Sequence, residues 1–279
     1  MMREFYKSNS GYGKIGNIFS IALNQFTDIL KEQLKVIDGQ SINVSDADRF
    51  FITVNSGKKG PLIPANALIR FQFVEILLRM ALKKYFESGE AQSEAQAIEM
   101  MVNNNLRTAY EARMTGQQWR KQVCWNEGAD NVLKAYLPIF KHIYENFGGK
   151  ELLPGQKYHM NVSEFETFCT TAPLVNDIFG TRDAAYCFNM AMMTQTNDVD
   201  NDRHLQGQFI EFLEAFCRAA DLAAFPPLPQ TKINANGEEE TVTRSLTVDQ
   251  RRKQPLHVKI ENVLPYLCKN CCKRNFIEK

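Results

Sequence analysis

Phe73-Val-Glu-Ile-Leu-Leu-Arg-Met-Ala81 and Phe212-Leu-Glu-Ala-Phe-Cys-Arg-Ala-Ala220 match in register over nine residues without a gap. In each, the apolar side chains recur at helical spacing, and a Glu and an Arg stand four apart, where they can pair on one helix face. Each copy predicts an amphipathic helix, the second helix of a helix-loop-helix, and the near-repeat predicts a duplicated unit. A chain of 279 residues has the length for two ordinary cores. The expected fold is all-α, in two lobes of paired helix-loop-helix units with extended polar tails.

Outward from these helices the chain divides as follows. Residues 1–16 show no period and read as a flexible or partner-ordered arm. Residues 17–115 make the first lobe. It opens on a helix carrying Ile18, Ile21, Ala22, Gln25-Phe26, Ile29, Leu30 and Leu34, with Gly39 as its stop. A short helix with Phe50, Phe51 and Val54 follows, then the first duplicated helix, then a helix entered through Ser93 and Gln96. Residues 116–229 make the second lobe. Val132, Leu133, Tyr136, Leu137, Phe140, Ile143, Tyr144 and Phe147 keep one helical rhythm, and Pro138 within it predicts a kink or break. Helices starting near Met160 and Thr181 precede the second duplicated helix, which ends at Phe225-Pro226. Residues 230–254 are polar and read as a linker or surface-wrapping segment. Residues 255–279 hold a last stripe of Leu256, Ile260, Val263, Leu264 and Leu267, with Pro265 weakening its final turn, and a tail. No segment alternates like a half-buried strand over more than a few residues.

Charge and motif content narrow the function. With 33 basic and 32 acidic residues the chain has no overall basic excess to drive nucleic-acid binding. Its apolar runs are too short to span a bilayer, and Met1 to Lys7 has no apolar signal core, so the expectation is a cytoplasmic protein. Seven cysteines, an odd number, fit a reducing compartment. Cys268, Cys271 and Cys272 include a C-x-x-C spacing, but a zinc site needs four ligands and the nearest histidine, His257, stands eleven residues before Cys268; packing or solvent-facing sulfurs on a short helix is the competing reading. The four histidines, His142, His159, His204 and His257, are scattered, and no phosphate loop, H-E-x-x-H or G-x-S-x-G motif occurs. No catalytic, cofactor-binding or metal-ligating residue is assigned, and no enzyme activity is expected.

A calcium loop of the EF-hand type needs oxygen ligands at positions 1, 3, 5, 7 and 9, a Gly at 6 and a bidentate Glu at 12. With Glu211 at position 12, the loop has Asp200, Asp202, His204, Gln206 and Gln208 at the first five liganding positions. Leu205 then replaces the Gly, and Gly207 takes position 8, where an aliphatic residue ordinarily pairs with the partner loop. Starting the frame at Asp198 instead puts Phe209 at position 12. With Glu164 at position 12 the loop begins at Leu153 and has no earlier carboxylate. With Gln72 there, the loop from Pro61 has no acidic residue at all. Such loops cannot offset the dehydration of a hard dication, so calcium binding is not expected. The alternative reading is a calcium-responsive adaptor that uses the 198–211 loop.

Met160-Asn-Val-Ser-Glu-Phe165, Phe188-Asn-Met-Ala-Met-Met-Thr-Gln195, Asp202-Arg-His-Leu205, Phe209-Ile-Glu-Phe-Leu-Glu-Ala215 and Arg218-Ala-Ala-Asp221, in that order, resemble the degenerate EF-hand-like proteins of ciliary and flagellar axonemes. Leu68-Ile-Arg-Phe-Gln-Phe-Val-Glu75 with Lys84-Tyr85 resembles the amino-terminal half of the same family, and the likeness covers residues 45–225. It implies EF-hand-like lobes in a structural, non-enzymatic protein of the axonemal cytoskeleton, bound to doublet microtubules, often on their inner wall. Its partners would be the tubulin lattice and neighbouring axonemal proteins, with neither nucleic acid nor membrane involved.

Overall fold

The computed structural model describes residues 1–11, 19–57, 63–194, 202–227, 230–233, 239–242 and 246–272. The chain is mostly helical and separates into two compact units, with Gly116 closing the first stretch of unit 1 and Gln117 opening unit 2.

Unit 1 opens on α1 (Met2–Ser10). This corrects the expectation of a flexible or partner-ordered arm over residues 1–16, of which 12–16 lie outside the described residues. Nine residues are too few to display a long period, but Phe5 and Tyr6 are buried against Phe73, and the Tyr6 hydroxyl donates to the Leu68 carbonyl at 2.8 Å. The helix expected from residue 17 begins later. A short strand, β1 (Ile21–Ala22), leads into α2 (Leu23–Asp28), which loosens into a π-helical turn over Ile29–Gln33. Next come α3 (Val44–Asn55), β2 (Ala67–Leu68) and α4 (Arg70–Ala81). Strands β1 and β2 pair antiparallel, Ile21 opposite Leu68. Asn43 caps α3 reciprocally with Asp46, so two otherwise orphaned amides at that end are satisfied. The short helices α5 (Glu94–Met100) and α6 (Thr108–Glu111), joined by a π-helical stretch, complete the unit. Phe26, Phe51 and Phe73 meet at its centre.

Unit 2 opens within α7 (Gly116–Trp119), at Gln117, and continues with α8 (Glu127–Ala135) and α9 (Leu137–Phe147). The chain breaks at Tyr136, as Pro138 requires: a proline is tolerated in a first helical turn, where its missing N–H has no partner to lose. The core helices are α10 (Val162–Thr171), α11 (Thr181–Ala191) and, after the one-turn α12 (Asp202–Leu205), α13 (Phe209–Ala223). The segment expected to be a polar linker instead contains paired strands β3 (Gln230–Ile233) and β4 (Glu239–Val242), then α14 (Val248–Arg252). Helix α15 (Leu256–Cys271) runs on through Pro265 and packs on α13, α8 and α10. Leu256, Ile260, Val263, Leu264 and Leu267 are all buried, which makes it part of the unit 2 core. The tail beyond Cys272 lies outside the described residues.

The two duplicated helices share a pattern but not an environment. On α4 the Glu75–Arg79 pair, 2.7 Å apart, is nearly half exposed; on α13 the matching Glu214–Arg218 pair, at 2.8 Å, is 5–6% exposed. The difference is what covers the polar face. In unit 2 the Trp119 ring lies over the Arg218 guanidinium, 4.0 Å from ring centre, and Arg120 binds the other side of Glu214 at 2.8 Å. Asp221, one turn on, accepts from the Trp119 indole at 2.8 Å and from the Lys259 ammonium at 2.5 Å. Lys259 is buried, so each of these charges has a partner where water cannot supply one.

Candidate functional site

The loops in front of the aromatic helices are where the sequence raised a calcium chemistry, and one arrangement recurs at four helix starts. Gln25, Gln72, Glu164 and Glu211 each occupy the third position of the helix they enter, and each is followed by a buried phenylalanine, Phe26, Phe73, Phe165 or Phe212. Each side chain reaches back to the end of the preceding helix. The Gln25 amide donates to the Asn9 carbonyl at the end of α1, and the Gln72 amide to the Val54 carbonyl near the end of α3. The Glu164 carboxylate accepts from Lys150 and Glu151 N–H just past α9, and Glu211 from Met193 N–H just past α11 at 3.0 Å. Gln72, Glu164 and Glu211 also accept from the N–H three residues before them, at 3.0, 2.8 and 2.9 Å.

In Glu164 and Glu211 these bonds use the oxygens that a bidentate ligand would present to an ion, whereas Gln25 and Gln72 reach back through their amide nitrogens, and the Gln25 Oε1 is buried without a hydrogen-bond partner among the described residues. The remaining approach to Glu211 is taken by the Arg203 guanidinium at 3.3 Å, a cation supplied by the loop itself. His204, at position 5 of that frame, is buried and turned toward the protein: one ring nitrogen lies 2.9 Å from Asn189 Oδ1 and the other 2.9 Å from the Thr194 hydroxyl. Asp198 and Asp200 lie outside the described residues; Asp202 starts α12.

Position 8 gives a second regularity. Met160 and Gly207, at position 8 of the frames ending at Glu164 and Glu211, form an isolated antiparallel bridge with both N–H···O distances at 2.8 Å. Leu68, at position 8 of the frame ending at Gln72, pairs with Ile21, four residues before Gln25. The Tyr144 hydroxyl donates to the Gly207 carbonyl at 3.0 Å, and burial pushes that phenol up to about 12, which keeps its proton in place. Gly207 is needed there because a Cβ would stand 2.9 Å from the Phe188 ring and 3.0 Å from the Met160 carbonyl oxygen. Gly207→Val, which restores the ordinary aliphatic, is therefore expected to destabilise unit 2 by about 1–3 kcal/mol; urea unfolding read by tryptophan fluorescence checks it.

Sequence patterning did not single out Gln25. Its signal is the recurring Gln-Phe or Glu-Phe pair at 25–26, 72–73, 164–165 and 211–212, legible only once all four are aligned. The other candidates do not converge. His142 bonds Asn146 on its own helix, and His159 bonds the nearby Lys157 carbonyl. Burial pushes the thiols of Cys268, Cys271 and Cys272 up, the last two to about 12 and about 11, which opposes the thiolate form that binds metal. Among the described residues no group of three or more His, Cys, Asp or Glu is placed to hold a metal ion.

A different feature lies on the surface of unit 2. A groove of about 520 Å³ is lined by Cys124, Trp125, Leu133, Met193, Ile210 and Leu213, among others. Trp125, Met193 and Ile210 are each more than half exposed, a cluster of large apolar side chains of the kind that marks contact surfaces. No family model, no curated protein and no solved structure matches this chain.

Proposed function

We propose that the chain is a non-enzymatic structural component of the ciliary or flagellar axoneme, bound to doublet microtubules as a microtubule inner protein. In this reading each unit is a pair of EF-hand-like hands whose loops are closed by side chains in place of ions, and the partners are the tubulin lattice and neighbouring axonemal proteins. The observation that carries it is the fourfold recurrence of a third-position helix side chain, Gln25, Gln72, Glu164 or Glu211, tied back to the end of an earlier helix. A loop fastened in this way has exchanged a reversible ligand for permanent bonds, which suits a scaffold and not a sensor. The position-8 pairings Met160–Gly207 and Ile21–Leu68 add support, being where paired hands join.

A tagged full-length copy is expected to localise to the axoneme and to stay with salt-washed doublets, with Trp125→Ser and Ile210→Ser together weakening that retention. A diffuse cytoplasmic signal, or complete release at low salt, would contradict the assignment. The calcium-adaptor reading of the 198–211 loop is separated from it by melting: a ligand that binds only the folded state raises the transition temperature. Here millimolar calcium is expected to leave it unchanged.

A further inference from the structure

The duplicated helices carry the same outward face, and only one of the two is covered. Phe71 and Ile210 stand two residues before Phe73 and Phe212, and both project from the surface, 52% and 60% exposed. One turn further on, Val74 and Glu75 of α4 correspond to Leu213 and Glu214 of α13, and after another turn Leu78 and Arg79 correspond to Cys217 and Arg218. On α13 this face lies under residues 117–125. Trp119 sits over Arg218, Arg120 binds Glu214 through both carboxylate oxygens, and Cys124 and Trp125 border one groove with Ile210 and Leu213. The covering segment therefore runs antiparallel to α13, and beneath it Cys217, Glu214 and Arg218 are buried. On α4 no segment among the described residues does the same. Leu78 is 41% exposed, and Glu75 and Arg79 bond each other with nearly half of each side chain in solvent.

We propose that the α4 face of unit 1 is a docking surface for a helical segment of a partner protein, one with an aromatic residue followed directly by arginine and a large apolar side chain four or five positions later. The occupant's chemistry is read from the segment that covers the duplicate helix. Its aromatic ring lies over Arg79, its arginine binds Glu75, and its later apolar side chain packs on Phe71 and Val74. Charge and shape both favour this occupant. The Glu75 carboxylate has an exposed side that a second guanidinium can bind with paired N–H donors, which a lysine ammonium cannot match. The Arg79 guanidinium is a flat cation suited to an aromatic face, and Phe71 and Leu78 supply the apolar area at either end. One position differs. Leu82 stands where α13 has Asp221, the acceptor for the Trp119 indole, so the ring on α4 contributes through its face and apolar edge and need not carry a donor. This docking is a property of unit 1 alone and does not rest on the axonemal reading.

The probe is a fluorescein-labelled synthetic peptide with the sequence of residues 116–125, carrying Cys124→Ser, titrated with the purified full chain and followed by anisotropy. On α13 it meets a segment that its own chain holds at an effective concentration of about 1 mM or more, so α4 is the face left to it. Saturable binding is expected, weakened about fivefold or more by Phe71→Ser or Glu75→Ala in the protein and by Arg120→Ala in the peptide. Both protein positions are exposed, so the variants should fold, and unchanged circular dichroism checks this. Ile210→Ser, on the duplicate face, should leave the affinity unchanged. No saturable binding at concentrations up to about 1 mM would overturn the proposal, as would binding that Ile210→Ser weakens and Phe71→Ser does not. A dimer of the chain alone in sedimentation that Phe71→Ser dissolves would also overturn it, because the occupant would then be a second copy.

Discussion

Replacing Phe212 with alanine is expected to cost unit 2 about 3–5 kcal/mol, a large share of the total stability of an ordinary domain. The ring is 1% exposed and meets four others: Phe168 at 5.5 Å, Tyr144 at 5.6 Å, Phe209 at 6.3 Å and Phe165 at 6.4 Å between centroids. Deleting it removes the buried area, leaves a cavity that the flanking helices cannot close, and breaks ring pairs that contribute beyond area. The measurement is direct because the chain has two tryptophans, Trp119 and Trp125, both in unit 2. Their fluorescence in urea therefore follows this unit. A midpoint within error of the wild type would mean that these rings do not form the core described.

Glu214→Ala should be comparably severe, about 3–5 kcal/mol, for an electrostatic reason. The carboxylate lies between the Arg120 and Arg218 guanidiniums, bonded to each at 2.8 Å. Its removal leaves two positive charges close together, one of them almost fully buried, with no anion between them. The duplicated helix supplies an internal control. Glu75→Ala removes the equivalent residue of α4, where the pair is exposed, and should cost about 0.5 kcal/mol or less. Similar losses at the two positions, measured by unfolding of each variant, would contradict the burial assigned to α13.

That contrast also marks how far the sequence could be read. The stripes around Phe73 and Phe212 specified α4 and α13, Pro138 specified the break between α8 and α9, and Leu256 to Leu267 specified α15, because helical spacing is a local property. The burial of Glu214 and Arg218 was not legible, since it depends on Trp119 and Arg120 arriving from far along the chain. Helix α1 escaped notice because Phe5 and Tyr6 gain their meaning only from Phe73. The pairing of β3 with β4 escaped because four-residue strands carry little alternation. At the loops, the sequence showed which carboxylates were missing for an ion; it did not show that Gln25, Gln72, Glu164 and Glu211 had been redirected to backbone partners. That redirection is a tertiary fact, visible only when the helices on both sides of each loop are in place.

The position of α15 has a bearing on biosynthesis. Unit 1 has all its described helices by Glu111, so it can close while the ribosome is still extending the chain. Unit 2 cannot, because the face of α13 that holds Asp221 waits for Lys259, and the apolar surfaces of α8, α10 and α13 wait for Ile260, Val263 and Leu267. Through the translation of more than a hundred residues, that half of the nascent polypeptide carries an open greasy flank, and a premature stop before α15 would release it in a form that chaperones retain or proteases remove.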